Sequence, residues 1–481
     1  MAEPLLSLRT WLDTVEKFGE LRRVTGAHWD VELGAIAELS YQRPQPMALL
    51  FDDIVGYPSG RRVLTGSTGS ARRLGHTLRL GHDLDDAGLV AALRGKPSRW
   101  AAAAADFPPR TVTDSPLLAN VVEGAEVNLL SLPVPRWHSG DGGRFIGTGC
   151  LVVTSDPDTG AINGGCYRME VQDEGRSATI NAVPGKHGAA HIQRWFDRDG
   201  RAPVVVSFGH DPVLLVTGGT EVPAGISELA YAGAIAGERV PVLLGEHTGL
   251  PIPAGSEIAI EGWLRPENVR DEGPFGEWTG YYSGRRRPAP ALEIVRMYHR
   301  DDPIQLGAPP GKPPHDYSYM RTVMKSAMIE DALVGAGVTG VRGAWAHEPG
   351  GGRLFLAVSI ENRHAGHARQ VGHLTAQLPA AAYMNRFVVV VDEDIDPANL
   401  AEVVWAMSTR CDPARDIDII TGTWGSKLDP MLAEGAPPYN SRAVIDACRP
   451  FERRATFPAV ATGDPAHLES VLGRWAHVFG D

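Results

Sequence analysis

Between Asn120 and Met297 the chain is a series of short apolar stretches separated by turn residues, and this texture restricts the fold more than any other feature. The stretches are Phe145–Thr154, Cys166–Val171, Ala178–Asn181, Val204–Phe208, Val213–Val216, Val240–Leu244, Glu257–Trp263 and Ala291–Met297. Short apolar runs bounded by turns read as strands. Helical patches near Ala189–Asp199 and Ile226–Gly237 interrupt them. Many strands with few helices predict a barrel-like β domain.

The flanking regions have a different texture. Leu8, Trp11, Leu12, Val15 and Phe18 recur at helical spacing with Gly19 as a stop, and apolar runs follow at Ala48–Phe51 and Arg62–Thr65. This predicts a small α/β unit, ended by Ala101–Ala105 and the linker Pro108-Pro109. After Pro313-Pro314, Tyr319–Leu333 reads as a helix with Met320, Val323, Met324, Ala327 and Met328 on one face. Phe355–Ile360, a helical stretch ending near Gln377, and Phe387–Val391 come next. Asp396-Pro397 is expected to cap a helix carrying Leu400, Val403, Val404 and Met407, before a strand at Ile417–Thr421. Strand–helix–strand spacing implies parallel βαβ pairing.

Composition narrows the function classes. At 481 residues the chain exceeds one ordinary domain, and 43% hydrophobic residues suffice for several cores. The net charge of −12, with no basic block, argues against a nucleic-acid surface or an anionic membrane anchor. No signal-peptide pattern or spanning apolar run is visible, so a soluble cytoplasmic protein is expected. Cys150, Cys166, Cys411 and Cys448 lack disulfide-framework or zinc-site spacing.

Several motif-like strings fail on context. Gly335-Ala-Gly337-Val-Thr-Gly340 follows a predicted helix and precedes a strand, the reverse of a dinucleotide fingerprint, and reads as a helix end and turn. Gly307–Lys312 is one residue short of a P-loop, with Pro313 where Ser or Thr would bind magnesium. Asp392–Asp396 lacks the glycine and closing glutamate of a calcium loop.

What remains begins with Asp271–Tyr282, D-E-G-P-F-G-E-W-T-G-Y-Y. Glu272 and Glu277 flank a Gly-Pro-Phe-Gly turn in which Gly273 and Gly276 permit unusual backbone angles. Such a turn is either a solvated surface loop or, if buried, a device for controlled proton transfer. Ala161–Val171 holds Asn163, Gly164, Gly165, Cys166, Tyr167 and Arg168. Alternation puts Arg168 and Glu170 on one strand face, and a bulge at Gly164-Gly165 would bring Asn163 to the same side. The alternative is a hairpin loop with a solvated arginine. Val183–His187 is a tight loop before a helix near Ala189, where Lys186 and the helix N-terminus favour anions. Glu228 lies in the first turn of another helix, which the helix dipole alone explains. Asn163, His187 and Glu228 together offer an amide oxygen, an imidazole and a carboxylate, a set suited to Mn²⁺ or Mg²⁺ more than zinc.

These segments resemble the UbiD-type decarboxylases, the prenylated-FMN-dependent family. The resemblance rests on I-N-G-G-C-Y-R (162–168), P-G-K-H (184–187), G-I-S-E-L (225–229), E-G-P-F-G-E (272–277), the run 385–397 and M-S-T-R-C-D-P-A-R-D (407–416), all in family order. It implies an α+β multidomain chain: an N-terminal α/β unit (1–115), a central split β-barrel flavin domain (116–312) and a C-terminal α/β oligomerisation domain (313–481). It implies that Asn163, His187 and Glu228 bind a divalent metal, Mn²⁺ or Mg²⁺, bridged to the phosphate of prenylated FMN. Glu228 would also serve a K⁺ site. Gly164, Gly165, Cys166, Tyr167, Arg168, Lys186 and Arg386 would line the cofactor, Arg386 replacing a lysine that often contacts the phosphate. Lys186 stands where the ferulic-acid branch has a glutamine, a departure from ferulate-like substrates.

The resemblance further implies Arg168, Glu272 and Glu277 as catalytic residues. The reaction would be reversible decarboxylation of an aromatic, heteroaromatic or α,β-unsaturated acid through a covalent adduct with prenylated FMN. Glu277 would be the proton donor and Glu272 the partner of Arg168. A flavin prenyltransferase would supply the cofactor, and a homodimer or higher homo-oligomer is expected. The alternatives are a conventional FMN-dependent oxidoreductase and a non-catalytic subunit of a decarboxylase complex.

Overall fold

The structure, a computed structural model, describes residues 6–182, 185–223, 225–282, 284–433 and 435–479. The first helix, Leu8–Lys17, starts where the Ser7 hydroxyl accepts a hydrogen bond from the Thr10 amide. Its apolar stripe of Leu8, Trp11, Leu12 and Val15 is buried, as the i, i+3, i+4, i+7 spacing requires. It packs on a four-stranded sheet ordered Leu21–Thr25, Ala48–Asp52, Arg62–Thr65, Ile304–Leu306. That last strand arrives from far along the chain and pairs parallel with Arg62–Leu64.

The strand-rich centre forms a curled antiparallel half-barrel. Its order is Phe145–Gly147, Met169–Gln172, Ser177–Thr179, Arg287–His299, Ile258–Leu264, Ala202–Phe208, Leu151–Ser155, Ile162–Gly165. The strand Arg287–His299 is the spine, for Asn120–Glu123 and Val269–Glu272 also pair with it. Val152, Val204, Val206, Ile258, Ile260 and Leu292 fill the concave core at 0% exposure. Period-two alternation along paired strands puts them on one face.

One expected strand is a helix. Val213–Val216 lies inside the helix Pro212–Gly219, started by the Asp211 carboxylate, which accepts from the Val213 amide, and by Pro212 in its first turn. Residues 212–217 are all buried, and a short, uniformly apolar run carries no periodicity to separate helix from strand.

The C-terminal part contains a five-stranded sheet ordered Val341–Ala346, Phe355–Ile360, Phe387–Asp392, Tyr439–Ala447, Ile417–Trp424. Phe355–Ile360 and Phe387–Asp392 are parallel, joined through the helix His367–Gln377, as expected. The second strand–helix–strand unit is not parallel. Tyr439–Ala447 inserts beside Phe387–Asp392, and Ile417–Trp424 pairs antiparallel with it at the edge. The intervening helix, Leu400–Arg410, is capped by Asn399 and not by Asp396, the Asn399 side chain accepting from the Ala401 and Glu402 amides. The long helix Asp316–Gly335 precedes Gly337 and Gly340, both at positive φ, so that glycine string is the helix end and turn read from sequence. Among the described residues no helix is long and apolar enough to cross a membrane. All four cysteines are free.

Candidate active site

Val269–Glu272 pairs across to Pro290–Arg287, which delivers Glu272 at the strand end to the interior, 1% exposed. The chain then turns at Gly273, whose φ of +89° is open to glycine and strained for other residues. Gly142 packs against this turn so closely that a Cβ there would stand 2.0 Å from the Gly273 carbonyl oxygen. Gly276 does not adopt a positive φ, contrary to the sequence reading, so one glycine alone makes the turn. Phe275 is buried against Phe145, ring centres 4.0 Å apart. The Glu277 amide donates to the Tyr281 carbonyl at 2.9 Å and closes the loop. Glu277 is 8% exposed, so the turn is buried rather than a solvated surface loop.

Arg168 meets both acids. Its Nε and Nη2 donate to the two oxygens of Glu272 at 2.5 and 2.9 Å, and Nη1 donates to Glu277 Oε1. The fork geometry makes the Glu272 contact bidentate and the Glu277 contact single. Burial pulls the Arg168 pKa down, but the two carboxylates more than offset it, and the guanidinium is held above its ordinary value. Asn181, which the sequence did not single out, donates from Nδ2 to Glu272 Oε2 at 3.1 Å, and its amide donates to the Arg168 carbonyl.

Glu170 is a third acid here. One pleat beyond Arg168, it is 2% exposed and accepts from the Gly273 amide at 2.7 Å, with Arg286 at 3.3 Å. Burial raises its carboxyl to about 7. Period-two alternation puts it on Arg168's face in the sequence, but nothing there marks it as buried beneath the turn.

The route from Asn163 to Arg168 differs from the expected bulge. Ile162–Gly165 pairs regularly with Ser155–Val152, so Gly164-Gly165 lies within an ordinary strand. The register is reset instead where the chain leaves the sheet at Cys166, whose amide donates to the Gly218 carbonyl at 3.1 Å, and re-enters at Met169.

Two of the three metal candidates meet at this edge, and the third, His187, starts a neighbouring helix. Asn163 is buried, and Glu228 begins the helix Glu228–Ala236, its Oε2 accepting from the Gly164 amide at 2.7 Å. Burial raises the Glu228 carboxyl to about 7, and a neighbouring divalent cation would favour the ionised form. The Tyr167 hydroxyl lies 3.5 Å from Asn163 Nδ2 and so close to Gly188 that a Cβ there would stand 2.6 Å away. His187, exposed, is the first residue of that helix, His187–Asp199. Val183 and Pro184 lie outside the described residues. Among the described residues no group of three or more His, Cys, Asp or Glu could hold a metal; the set here has one histidine, one acid and an amide. Amide oxygen, imidazole and carboxylate fit a hard or borderline divalent ion. Lys186 places its ammonium 5.3 Å from the Tyr383 ring centre. Arg386 bonds Asp429 at 2.5 Å.

Comparison with known sequences resolves the family. Residues 12–93, 110–313 and 318–447 match, in order, the N-terminal, Rift-related and C-terminal domains of 3-octaprenyl-4-hydroxybenzoate carboxy-lyase, UbiD. The chain belongs to the UbiD carboxy-lyase family. One relative, the phenolic acid decarboxylase of Streptomyces sp. (strain D7), is 32% identical over 480 residues, covering 96% of each chain. The vanillic acid decarboxylase of Sedimentibacter hydroxybenzoicus in closed form is 27% identical, with a TM-score of 0.83 over 100% of both chains. The UbiD-class enzyme HmfF from Pelotomaculum thermopropionicum, in complex with FMN, is 26% identical with a TM-score of 0.84, covering 97% of this chain and 99% of its own. An evolved dimeric HmfF in complex with prFMN is 25% identical with a TM-score of 0.81, covering 98% and 99%.

Proposed function

We propose that this UbiD-family chain decarboxylates an aromatic or related unsaturated carboxylic acid with prenylated FMN as its cofactor. The observation that carries the reading is the Arg168 fork joining two buried acids, Glu272 and Glu277, on one turn. The family membership, the relatives named for phenolic and vanillic acid decarboxylation, and the HmfF complexes with FMN and prFMN support it. The domains read as 1–115, 116–312 and 313–481, the last promoting a homo-oligomer. Its C-terminal helix has Leu468, Leu472, Trp475 and Val478 45–59% exposed at helical spacing.

Loss of CO₂ from an sp² carbon leaves an electron pair that no side chain here can absorb; prenylated FMN, when bound, supplies that sink. Asn163, His187 and Glu228 would hold Mn²⁺ or Mg²⁺ against its phosphate, with Glu228 shared by K⁺, and Lys186 and Arg386 adding positive charge nearby. A flavin prenyltransferase would deliver the cofactor in the cytoplasm.

The chain's own residues then divide the work. Glu272, bonded by Asn181 as well, keeps two of Arg168's N–H groups engaged. The Nη1 group is shared with Glu277, so an incoming substrate carboxylate competes for it. Once displaced, Glu277 takes up a proton and delivers it to the carbon that CO₂ leaves. Phe275 and Trp278, both nearly buried, keep water from that carbon. Replacing Glu277→Gln in the flavin-loaded enzyme is expected to lower CO₂ release about a hundred- to ten-thousand-fold while bound flavin is retained. Undiminished turnover would remove Glu277 from the donor role.

A further inference from the structure

Beside the proposed catalytic turn lies a buried cluster of positive charge of which three cations, Arg321, Lys325 and Arg353, have no use in the decarboxylation chemistry above. Trp278, the residue after Glu277, is flanked by two guanidiniums, Arg321 at 5.2 Å and Arg353 at 5.8 Å from its ring centre. Arg321 and Lys325 are one turn apart on the helix Asp316–Gly335, and Arg353 precedes the strand Phe355–Ile360. Lys186 approaches from the other side, sharing the Tyr383 ring with Arg353.

Among the described residues, one acid faces these cations. Glu221 takes Arg353 Nη2 at 2.7 Å on one oxygen and Lys325 Nζ at 3.0 Å on the other. The side chains of Arg353 and Lys325 are 6% and 4% exposed and that of Glu221 is 30% exposed, although its Oε2, on the Lys325 side, is buried. Among the described residues Arg353 Nε and Nη1 and Arg321 Nε are buried without hydrogen-bond partners. Burial and mutual repulsion push Lys325 down to about 7 and Arg321 to about 9. Desolvated cations in excess of their counter-ions are costly, and bare guanidinium N–H groups are costlier still. A ligand that brings negative charge and paired acceptor oxygens would satisfy both needs, and a carboxylate matches the guanidinium fork.

We infer that this cluster binds a second carboxylate of the substrate, so the enzyme's substrate class is an aromatic dicarboxylic acid. One carboxylate lies at Arg168 and is lost. The other is held by Arg353 and Lys325, with the ring against Trp278. The inference rests on the decarboxylase reading for its chemistry and on the cluster alone for its selectivity.

The test compares benzene-1,2-, 1,3- and 1,4-dicarboxylate with benzoate on the prenylated-FMN holoenzyme, by calorimetric Kd and by CO₂ release. At least one diacid is expected to bind about 10- to 100-fold more tightly than benzoate, the range for one added charged hydrogen-bonding group. Arg353→Gln is expected to collapse that ratio toward one at normal flavin content. Lys325→Met gives the same comparison should the arginine variant not fold. Equal affinity for mono- and diacids, or a ratio unchanged in both variants, would overturn the inference. Loss of flavin on Arg353→Gln would also overturn it, because the cluster would then serve the cofactor phosphate. Diacid binding without CO₂ release from any acid would keep the cluster's role and refute the decarboxylase reading.

Discussion

Glu170 shows how a residue outside the reaction can govern the turn that performs it. Its carboxyl lies beneath Gly273, next to Glu272, where burial raises its pKa from 4.5 to about 7. A carboxyl that holds its proton more tightly folded than unfolded stabilises the fold fully below pH ~4.5 and loses that contribution as pH rises through about 7. Glu170→Gln keeps an acceptor for the Gly273 amide and has nothing to titrate. The apparent Tm of the wild type, followed from pH 4.5 to 8, is therefore expected to fall more steeply than that of the variant. The difference corresponds to on the order of 1–3 kcal/mol. Parallel profiles would show that the Glu170 carboxyl titrates alike in the folded and unfolded chain, contradicting the upward shift that burial gives it.

At the scale of elements, the proposed metal site would be assembled from a strand and two helix starts. Ile162–Gly165 carries Asn163, the helix His187–Asp199 begins at His187, and the helix Glu228–Ala236 begins at Glu228. Asn163→Ala and His187→Ala each remove a proposed ligand and leave the strand pairing intact, because that pairing uses backbone groups. Each variant is expected to retain about a tenth or less of the flavin per protein, read from absorbance, with divalent metal falling in step. Flavin content equal to wild type in either would contradict the metal assignment. The same elements show what a sequence reveals. The amphipathic helix Leu8–Lys17 and the strands Arg62–Thr65 and Phe355–Ile360 are legible because burial on one face or flanking turns leave a pattern. Val213–Val216 is not, since its uniform burial erases the pattern, and Ile417–Trp424 is not, since pairing direction depends on the distant Tyr439–Ala447. Glu272 and Glu277 are legible together as one turn, whereas only the family resemblance joins Arg168 to them. Glu170, Asn181 and the Arg321–Lys325–Arg353 cluster are not legible, because burial and cross-chain proximity give them their meaning.

For the whole molecule, the site lies where the half-barrel meets the C-terminal part. Arg168, Glu272 and Glu277 come from the half-barrel, while Arg321 and Arg353 reach Trp278 from the helix Asp316–Gly335 and the segment before Phe355–Ile360. The Arg353–Glu221 ion pair spans the two. That arrangement suits a cofactor seated on the half-barrel and a substrate enclosed from the C-terminal side. The most direct measurement is made on protein produced with and without a flavin prenyltransferase, scoring the mass of the bound flavin and CO₂ release from aromatic acids. The expected result is a prenylated flavin and CO₂ release that depends on the prenyltransferase. Ordinary FMN with NAD(P)H oxidation, and no CO₂ from either preparation, would contradict it.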